Sequence, residues 1–351
     1  MDHRKPLLLY FHVGHSTFVK KDIEILQGDF EIKSFNFISI SKWKTPLLFM
    51  HQFFFIILNL FRSKLFVCQL SGYHSFLPAL TSKFSSVSCL IVASGTDCHS
   101  FPSIGYGNYQ KVLLGWFTKM SFRLCNHIAP KHHSLVESSY TYSSNDPALQ
   151  GYLAFDRKLN KPFTVITNGY DPDLYIPSKK IKNQFITASG NLNQSYQYKL
   201  KGIDLIIEIA SKFPECNFII AGAELKLPFS TEHNNIRLVP KLKNEELLKL
   251  FSESEYYLQL SMAEGFPNAL CEAMLCGCVP IGSCVFSIPE IIGNTGFILD
   301  HRSASELESL IRKAINSENK EYGIDARKRI INMYPLSSRK EKLIKLCKDL
   351  I

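Results

Sequence analysis

Short apolar runs alternate with polar turns and amphipathic stretches along the whole chain. Residues 7–13 (LLLYFHV) form an apolar run that ends at Gly14. A polar turn follows, then residues 18–26 (FVKKDIEIL) with helical spacing of apolar positions, then an extended segment at 31–37. A strand, a glycine turn, a helix and a second strand open an α/β sheet, because a strand buried on both faces reads as continuous apolar sequence. Further short apolar runs lie at 65–70, 89–93, 127–130 and 163–167.

Between about 170 and 184 the composition shifts to Asp171, Pro172, Asp173, Pro177 and a Lys/Asn cluster, which marks the expected linker. The same grammar then restarts. It predicts a strand at 185–188, a long polar loop to Lys201-Gly202, and a helix over 203–213 with positions 203, 206, 207 and 210 on one face. Next come a strand at 217–221, a helix capped by Asn244, a strand at 256–260, a helix at 268–276 ended by Gly277, and a strand at 279–283. The expected architecture is α/β: two doubly wound, Rossmann-like domains at 1–175 and 176–335, with a last helix at 336–351 crossing back onto the first. Ligands of such sheets bind outside the carboxyl ends of the strands, so the site belongs in the crevice between the domains.

Composition narrows the class. With 351 residues, 46% hydrophobic and 20% charged, the chain is neither disordered nor collagenous. Its ten cysteines lack zinc spacing and disulfide-scaffold density and read as reduced, buried thiols. With no cleavable leader pattern at the N-terminus, a cytoplasmic protein is expected. The net charge of +9 is concentrated: residues 42–131 hold nine Lys/Arg against one acid, Asp97. Within that stretch, 46–61 (PLLFMHQFFFIILNLF) is apolar and flanked by Lys42, Lys44, Arg62 and Lys64. It is too short to span a bilayer, which needs about 20 residues, and reads as a helix either buried or lying in an anionic membrane interface. No nucleic-acid reader motif accompanies the charge, so no nucleic-acid partner is expected.

The chemistry concentrates in 261–290. A strand runs into Glu264-Gly265-Phe266-Pro267, a helix starts near Asn268, and Glu272 follows Glu264 by eight positions. Gly265 admits close backbone approach, and exposed amides at a helix start favour an anion such as a pyrophosphate. A carboxylate accepts from two hydroxyls at once, which suits the diol of a ribose or a hexose. The alternative leaves Glu264 as a helix cap and Glu272 in solvent.

This stretch, continued by Ala273-Met274, Gly277, Pro280 and Ile288-Pro289-Glu290-Ile291, resembles the signature of family-4 glycosyltransferases. Lys201-Gly202-Ile203-Asp204, Ala221-Gly222 and Val165-Ile166-Thr167-Asn168-Gly169-Tyr170-Asp171 extend the likeness. The resemblance implies a retaining, metal-independent enzyme of the GT-B fold with no cofactor beyond its nucleotide-sugar donor. It implies that Glu272 binds the donor ribose, Glu264 the donor sugar, and the amides around Gly265–Asn268 the diphosphate, with Phe266 and Pro267 as donor-binding residues of that stretch, while Lys201 neutralises the leaving phosphate. Gly14 is a further donor-binding candidate. Where the family carries an arginine after a glycine, this chain has Asn191 after Gly190, so Asn191 brings no charge and Lys199 is the candidate substitute. Ser94 stands where the family often has histidine, leaving Asp97 as the candidate polar group near the acceptor and His99 as the second. A turn carboxylate is the alternative for Asp97.

The implied acceptor is a glycan or lipid-linked glycan, as in surface polysaccharide assembly. Another GT-B activity, such as an epimerase or phosphorylase, and a non-catalytic sugar-nucleotide-binding subunit remain open. Asp171-Pro172-Asp173 spells a metal-binding DxD, yet a proline-stiffened turn explains it. Cys271, Cys276, Cys278 and Cys284 read as small core residues, and Lys131-His132-His133 as a surface run.

Overall fold

The computed structural model describes residues 5–38, 42–190, 192, 194–223, 234–317 and 321–351. In the first lobe, β1 (Leu7–His12), α1 (Thr17–Gln27), β2 (Glu31–Asn36), α2 (Thr45–Asn59), β3 (Ser63–Gln69), α3 (Tyr73–Thr81), β4 (Ser88–Val92), α4 (Val112–Leu124) and β5 (His127–Ile128) alternate strand and helix. All six residues of β1 are buried, as its apolar run requires. The strands form one parallel sheet in the order β2-β1-β3-β4-β5. A small hairpin, β6 (Ser138–Ser139) and β7 (Leu149–Gln150), and the short α5 (Tyr152–Phe155) complete this lobe. The run at 163–167 forms no regular strand but runs along β5, with Thr164 N donating to Ile128 O at 3.0 Å and Ile166 N to Pro130 O at 3.0 Å.

The second lobe comprises β8 (Ile181–Ala188), α6 (Ser195–Lys201), α7 (Ile203–Ala210), β9 (Asn217–Ala221), β10 (Ile236–Val239), α8 (Asn244–Glu253), β11 (Ser254–Gln259), α9 (Asn268–Leu275), β12 (Val279–Ser283), α10 (Ile288–Ile292), β13 (Phe297–Leu299), α11 (Ala304–Ile315) and α12 (Tyr322–Met333). Its parallel sheet runs β10-β9-β8-β11-β12-β13. Each sheet reverses direction once, between β1 and β3 and between β8 and β11, and these reversals open the crevices where doubly wound sheets hold ligands.

Three expectations are corrected. The strand expected at 185–188 begins at Ile181, inside the presumed linker, where Asn183 N donates to the Glu255 carboxylate at 2.7 Å. The polar loop before Lys201 contains α6, stabilised by Gln194 N donating to the Gln197 side chain at 3.0 Å and by burial of Tyr198 and Leu200. Lys243 rather than Asn244 caps α8, its amide donating to the Glu246 carboxylate at 3.0 Å.

The chain crosses between lobes twice, and the crossings lie side by side. Tyr170 N donates to Tyr334 O at 3.0 Å and Leu336 N to Tyr170 O at 2.9 Å. A Cβ on Gly169 would stand 2.9 Å from both Leu336 Cα and Arg339 Cβ, so this approach requires glycine. Beyond the second crossing, α13 (Leu336–Asp349) packs against α1 and contributes Leu343, Leu346 and Cys347 to the first-lobe core. Buried Arg339 donates to Asp22 Oδ1 at 3.1 and 2.6 Å and to the carbonyls of Ile166 and Thr167 at 3.1 and 2.7 Å. Such partners are what a desolvated guanidinium needs to be tolerated.

Candidate active site

At the second-lobe reversal, α6 ends at Lys201 and is fastened to the β11 loop by Met262 N donating to Leu200 O at 2.8 Å. Lys201 Nζ therefore lies 2.5 Å from Glu264 Oε1, which also accepts from Ser261 Oγ at 2.8 Å and Gln259 Nε2 at 3.0 Å. The pair is neither sealed nor loose, with side chains 24% and 15% exposed. The first lobe supplies a neighbour: the Tyr106 phenol, its pKa raised chiefly by burial, also feels the Glu264 charge.

Glu272 stands one turn into α9, on the same face as Asn268. Burial raises its pKa, while Lys21 of α1 and the Tyr175 hydroxyl, 3.5 Å from Oε1, pull against that rise. Both glutamates are half-buried and have neighbours from the opposite lobe or the crossover, so both border the seam between the lobes. Between them the backbone is held tightly. Asn268 Oδ1 accepts from Asn168 Nδ2 at 2.8 Å and the Tyr170 hydroxyl at 2.7 Å. Phe266 packs its ring 5.1 Å from that of Tyr334, and Pro267 is buried. What this stretch offers a ligand is therefore main chain and the start of α9, rather than the side chains of Phe266, Pro267 or Asn268. A Cβ on Gly265 would collide with the Ser94 carbonyl oxygen, so glycine is required where the lobes touch.

The first-lobe candidates fare differently. Asp97 is completely buried and accepts Ser94 N at 3.1 Å and Gly95 N at 3.0 Å on Oδ1 and Ser71 N at 2.9 Å on Oδ2. Its geometry is that of a turn carboxylate fixing the 94–97 loop, not of a group facing an acceptor. His99 is also sealed, its ring 4.2 Å from Phe286 of the other lobe and both nitrogens without a hydrogen-bond partner among the described residues. Burial drives its pKa down to about 3, so it is neutral. Gly14 is partly exposed at the first-lobe reversal, with its amide donating to Asn36 Oδ1 at 2.9 Å.

Lys199 does not substitute for the absent arginine in this arrangement: two residues before Lys201 on one helix, it points about 200° away and is exposed. Asn191 lies outside the described residues. Asp171 caps a turn by accepting Asp173 N at 3.1 Å. All ten cysteines are free, and all but Cys284 are buried.

The surface run at 131–133 is a misreading for two of its three residues. Lys131 and His132 are buried because the strand end carries them under α1 and against the second lobe. Lys131 Nζ lies 4.2 Å from the Phe18 ring centre, and His132 Nε2 pairs with Glu290 Oε2 at 2.9 Å across the lobes. Lys21, Tyr106, Asn168, Tyr170 and Tyr175 were not singled out as site residues by the sequence. Of these, only Asn168 and Tyr170, in the Asn-Gly-Tyr segment, carried a signal.

Residues 182–332 match the model of the family described as glycosyl transferases group 1. One subunit of the phosphatidylinositol N-acetylglucosaminyltransferase of Homo sapiens is 26% identical over 222 residues, covering 60% of this chain and 43% of that protein. O-antigen chain mannosyltransferase B of Escherichia coli is 27% identical over 89 residues, 25% of this chain and 23% of that one. The chain thus spans less than half the length of these curated relatives. Sucrose-phosphate synthase of Thermosynechococcus elongatus superposes with a TM-score of 0.75 at 14% identity, covering 99% of both chains. HepE of Anabaena, in complex with UDP and glucose, superposes with a TM-score of 0.69 at 13% identity, covering 98% of this chain and 100% of that one. The two parallel-sheet lobes are those of the GT-B fold, and the second lobe is similar to the glycosyl transferases group 1 family.

Proposed function

We propose that the protein is a retaining, metal-independent glycosyltransferase of family 4. It would move a hexosyl sugar from a nucleotide-diphosphate sugar to a hydroxyl of a glycan or lipid-linked glycan during surface polysaccharide assembly. The observation that carries this reading is the placing of Glu264 and Glu272 along one seam, with the start of α9 between them and Lys201 bound to the first. Glu272 accepts the ribose hydroxyls, and the 265–268 main chain with the α9 dipole receives the diphosphate. Glu264 holds a hydroxyl of the donor sugar. As the sugar–phosphate bond lengthens, negative charge grows on the departing oxygen, and the Lys201 ammonium with the helix dipole opposes it without a metal ion. The relatives named for mannosyl and N-acetylglucosaminyl transfer support a hexosyl donor, and UDP in HepE supports a nucleotide-diphosphate carrier.

Thermal-shift titration with UDP-, GDP- and ADP-sugars tests the donor class, because a ligand that binds the folded state raises its melting temperature by mass action. Glu272→Ala is expected to weaken binding of the preferred nucleotide by roughly 1.5–3 kcal/mol, the worth of charge-assisted hydrogen bonds. Unchanged affinity in a folded variant would overturn the assignment.

A further inference from the structure

We infer that the outer helical face of the first lobe, built by α2 and the start of α4 together, docks on a membrane surface of anionic lipid. The inference does not rest on the transfer reaction. Trp43, Leu47, Met50, Phe54, Leu58 and Phe61 are all exposed and follow one another at spacings of three and four. They form one continuous outward stripe along α2 and its flanks. The opposite side of α2 is also mainly apolar but is used: Ile56 is buried, Phe55 packs edge-on to Phe11, Phe49 stacks 5.5 Å from Phe117 of α4, and buried Gln52 donates to the His74 carbonyl at 2.6 Å. A helix apolar all round belongs in a core or in lipid, and α2 has protein on one side only. The exposures are large, at 91% for Trp43, 82% for Leu58 and 97% for Phe61.

The Phe49–Phe117 stack places α4 in the same layer, and α4 begins with exposed Val112 and Leu113 and, one turn on, exposed Trp116. The two tryptophans of the chain, Trp43 and Trp116, both stand on this face. Tryptophan prefers the membrane–water boundary, where an apolar ring and a polar N–H are both accommodated.

Charge selects the occupant. Lys44, Lys64 and Lys111 are exposed around the stripe, Arg62 is exposed but pairs with the Glu31 carboxylate at 3.4 Å, and residues 42–131 themselves offer no exposed carboxylate, because Asp97 is sealed. A second copy of this chain would bring like charges together on the symmetry axis, whereas an anionic leaflet supplies the opposite sign with an apolar layer beneath it. The α2 helix is 15 residues long, about 22 Å, and no helix among the described residues is long and apolar enough to cross a membrane. It lies in the interface plane instead.

The test mixes the full chain with phosphatidylcholine vesicles with and without phosphatidylglycerol, reading co-sedimentation and tryptophan fluorescence. Anionic vesicles are expected to sediment the protein, shift its emission to the blue and permit quenching by brominated acyl chains, while phosphatidylcholine alone does none of these. The double variant Leu58→Glu/Val112→Glu, at exposed positions that leave both tryptophans in place, should lose at least tenfold in partitioning. Lys44→Glu/Lys111→Glu should lose a similar factor and remove the salt sensitivity. Melting temperature and circular dichroism verify that the variants fold. Binding indifferent to phosphatidylglycerol and to both variants would overturn the inference. So would a dimer in sedimentation velocity that Leu58→Glu/Val112→Glu splits, since the face would then join two copies.

Discussion

The two rims of the seam each present a carboxylate and a lysine, and the two rims use them in opposite ways. On the second lobe, Glu264 and Lys201 are partly open and paired, and the carboxylate accepts from side chains that a ligand hydroxyl can replace. On the first lobe, Asp97 is sealed and spends both oxygens on three backbone amides, while Lys131 is sealed with an aromatic ring beneath its ammonium. The residue types are alike, and the partners distinguish them. Bonds to main-chain amides hold a loop in one shape, whereas bonds to side chains leave a group able to exchange partners with substrate.

The sharpest way to break this comparison is to remove one carboxylate from each rim. Asp97→Ala strands three buried amides, each worth about 1–3 kcal/mol, so a loss of about 3–5 kcal/mol in unfolding free energy is expected by denaturant titration. Glu264→Ala is expected to change stability by less than about 1 kcal/mol, as for other partly exposed ion pairs. If the two variants melt alike, the division between a structural rim and a binding rim fails. A smaller effect is expected from Lys201→Met. With the ammonium gone, single-turnover transfer should slow about 100-fold, the scale of one lost electrostatic stabiliser, with donor affinity changed far less. A variant that loses affinity but not rate would place Lys201 in ground-state binding only.

The second-lobe rim was legible in the sequence because its parts are contiguous. Glu264, Gly265, Asn268 and Glu272 sit on one strand–loop–helix unit, where spacing alone dictates which side chains share a face. The β1–α1–β2 opening was equally legible, since all six positions of β1 are buried and all but His12 are apolar. What escaped depends on distant segments. Lys21 and Tyr175 reach Glu272 from α1 and the crossover, and no local pattern announces them. In α6, Tyr198 and Leu200 are the buried apolar residues among polar neighbours, too few to show a helical period, and the Gln194–Gln197 cap is not an acidic one. Asp97 was ambiguous for a different reason: a turn carboxylate and a ligand-facing one are spelled identically, and only the three amides tell them apart.

Lys131 carries the last and smallest expected effect. Three basic residues in a row suggest a solvated surface, yet burial, reinforced by the like charge of Arg339, pushes its pKa down to about 7, with Asp22 and Asp97 opposing only in part. The unfolded chain keeps that proton up to the ordinary lysine range, whereas the folded chain releases it from about pH 7. In that window the unfolded state binds more protons, so stability rises with pH, and the cost of burying the charged ammonium is felt in full below it. Lys131→Met keeps the packing and removes the charge. It is therefore expected to be more stable than the unsubstituted protein near pH 6, with the gap narrowing from about pH 7 through pH 9 toward the ordinary lysine range as the native lysine goes neutral first. Parallel denaturant titrations of the two proteins across that range measure the difference. A gap that stays constant with pH would mean that Lys131 keeps its proton, and that the first-lobe rim holds an available cation just as the second does.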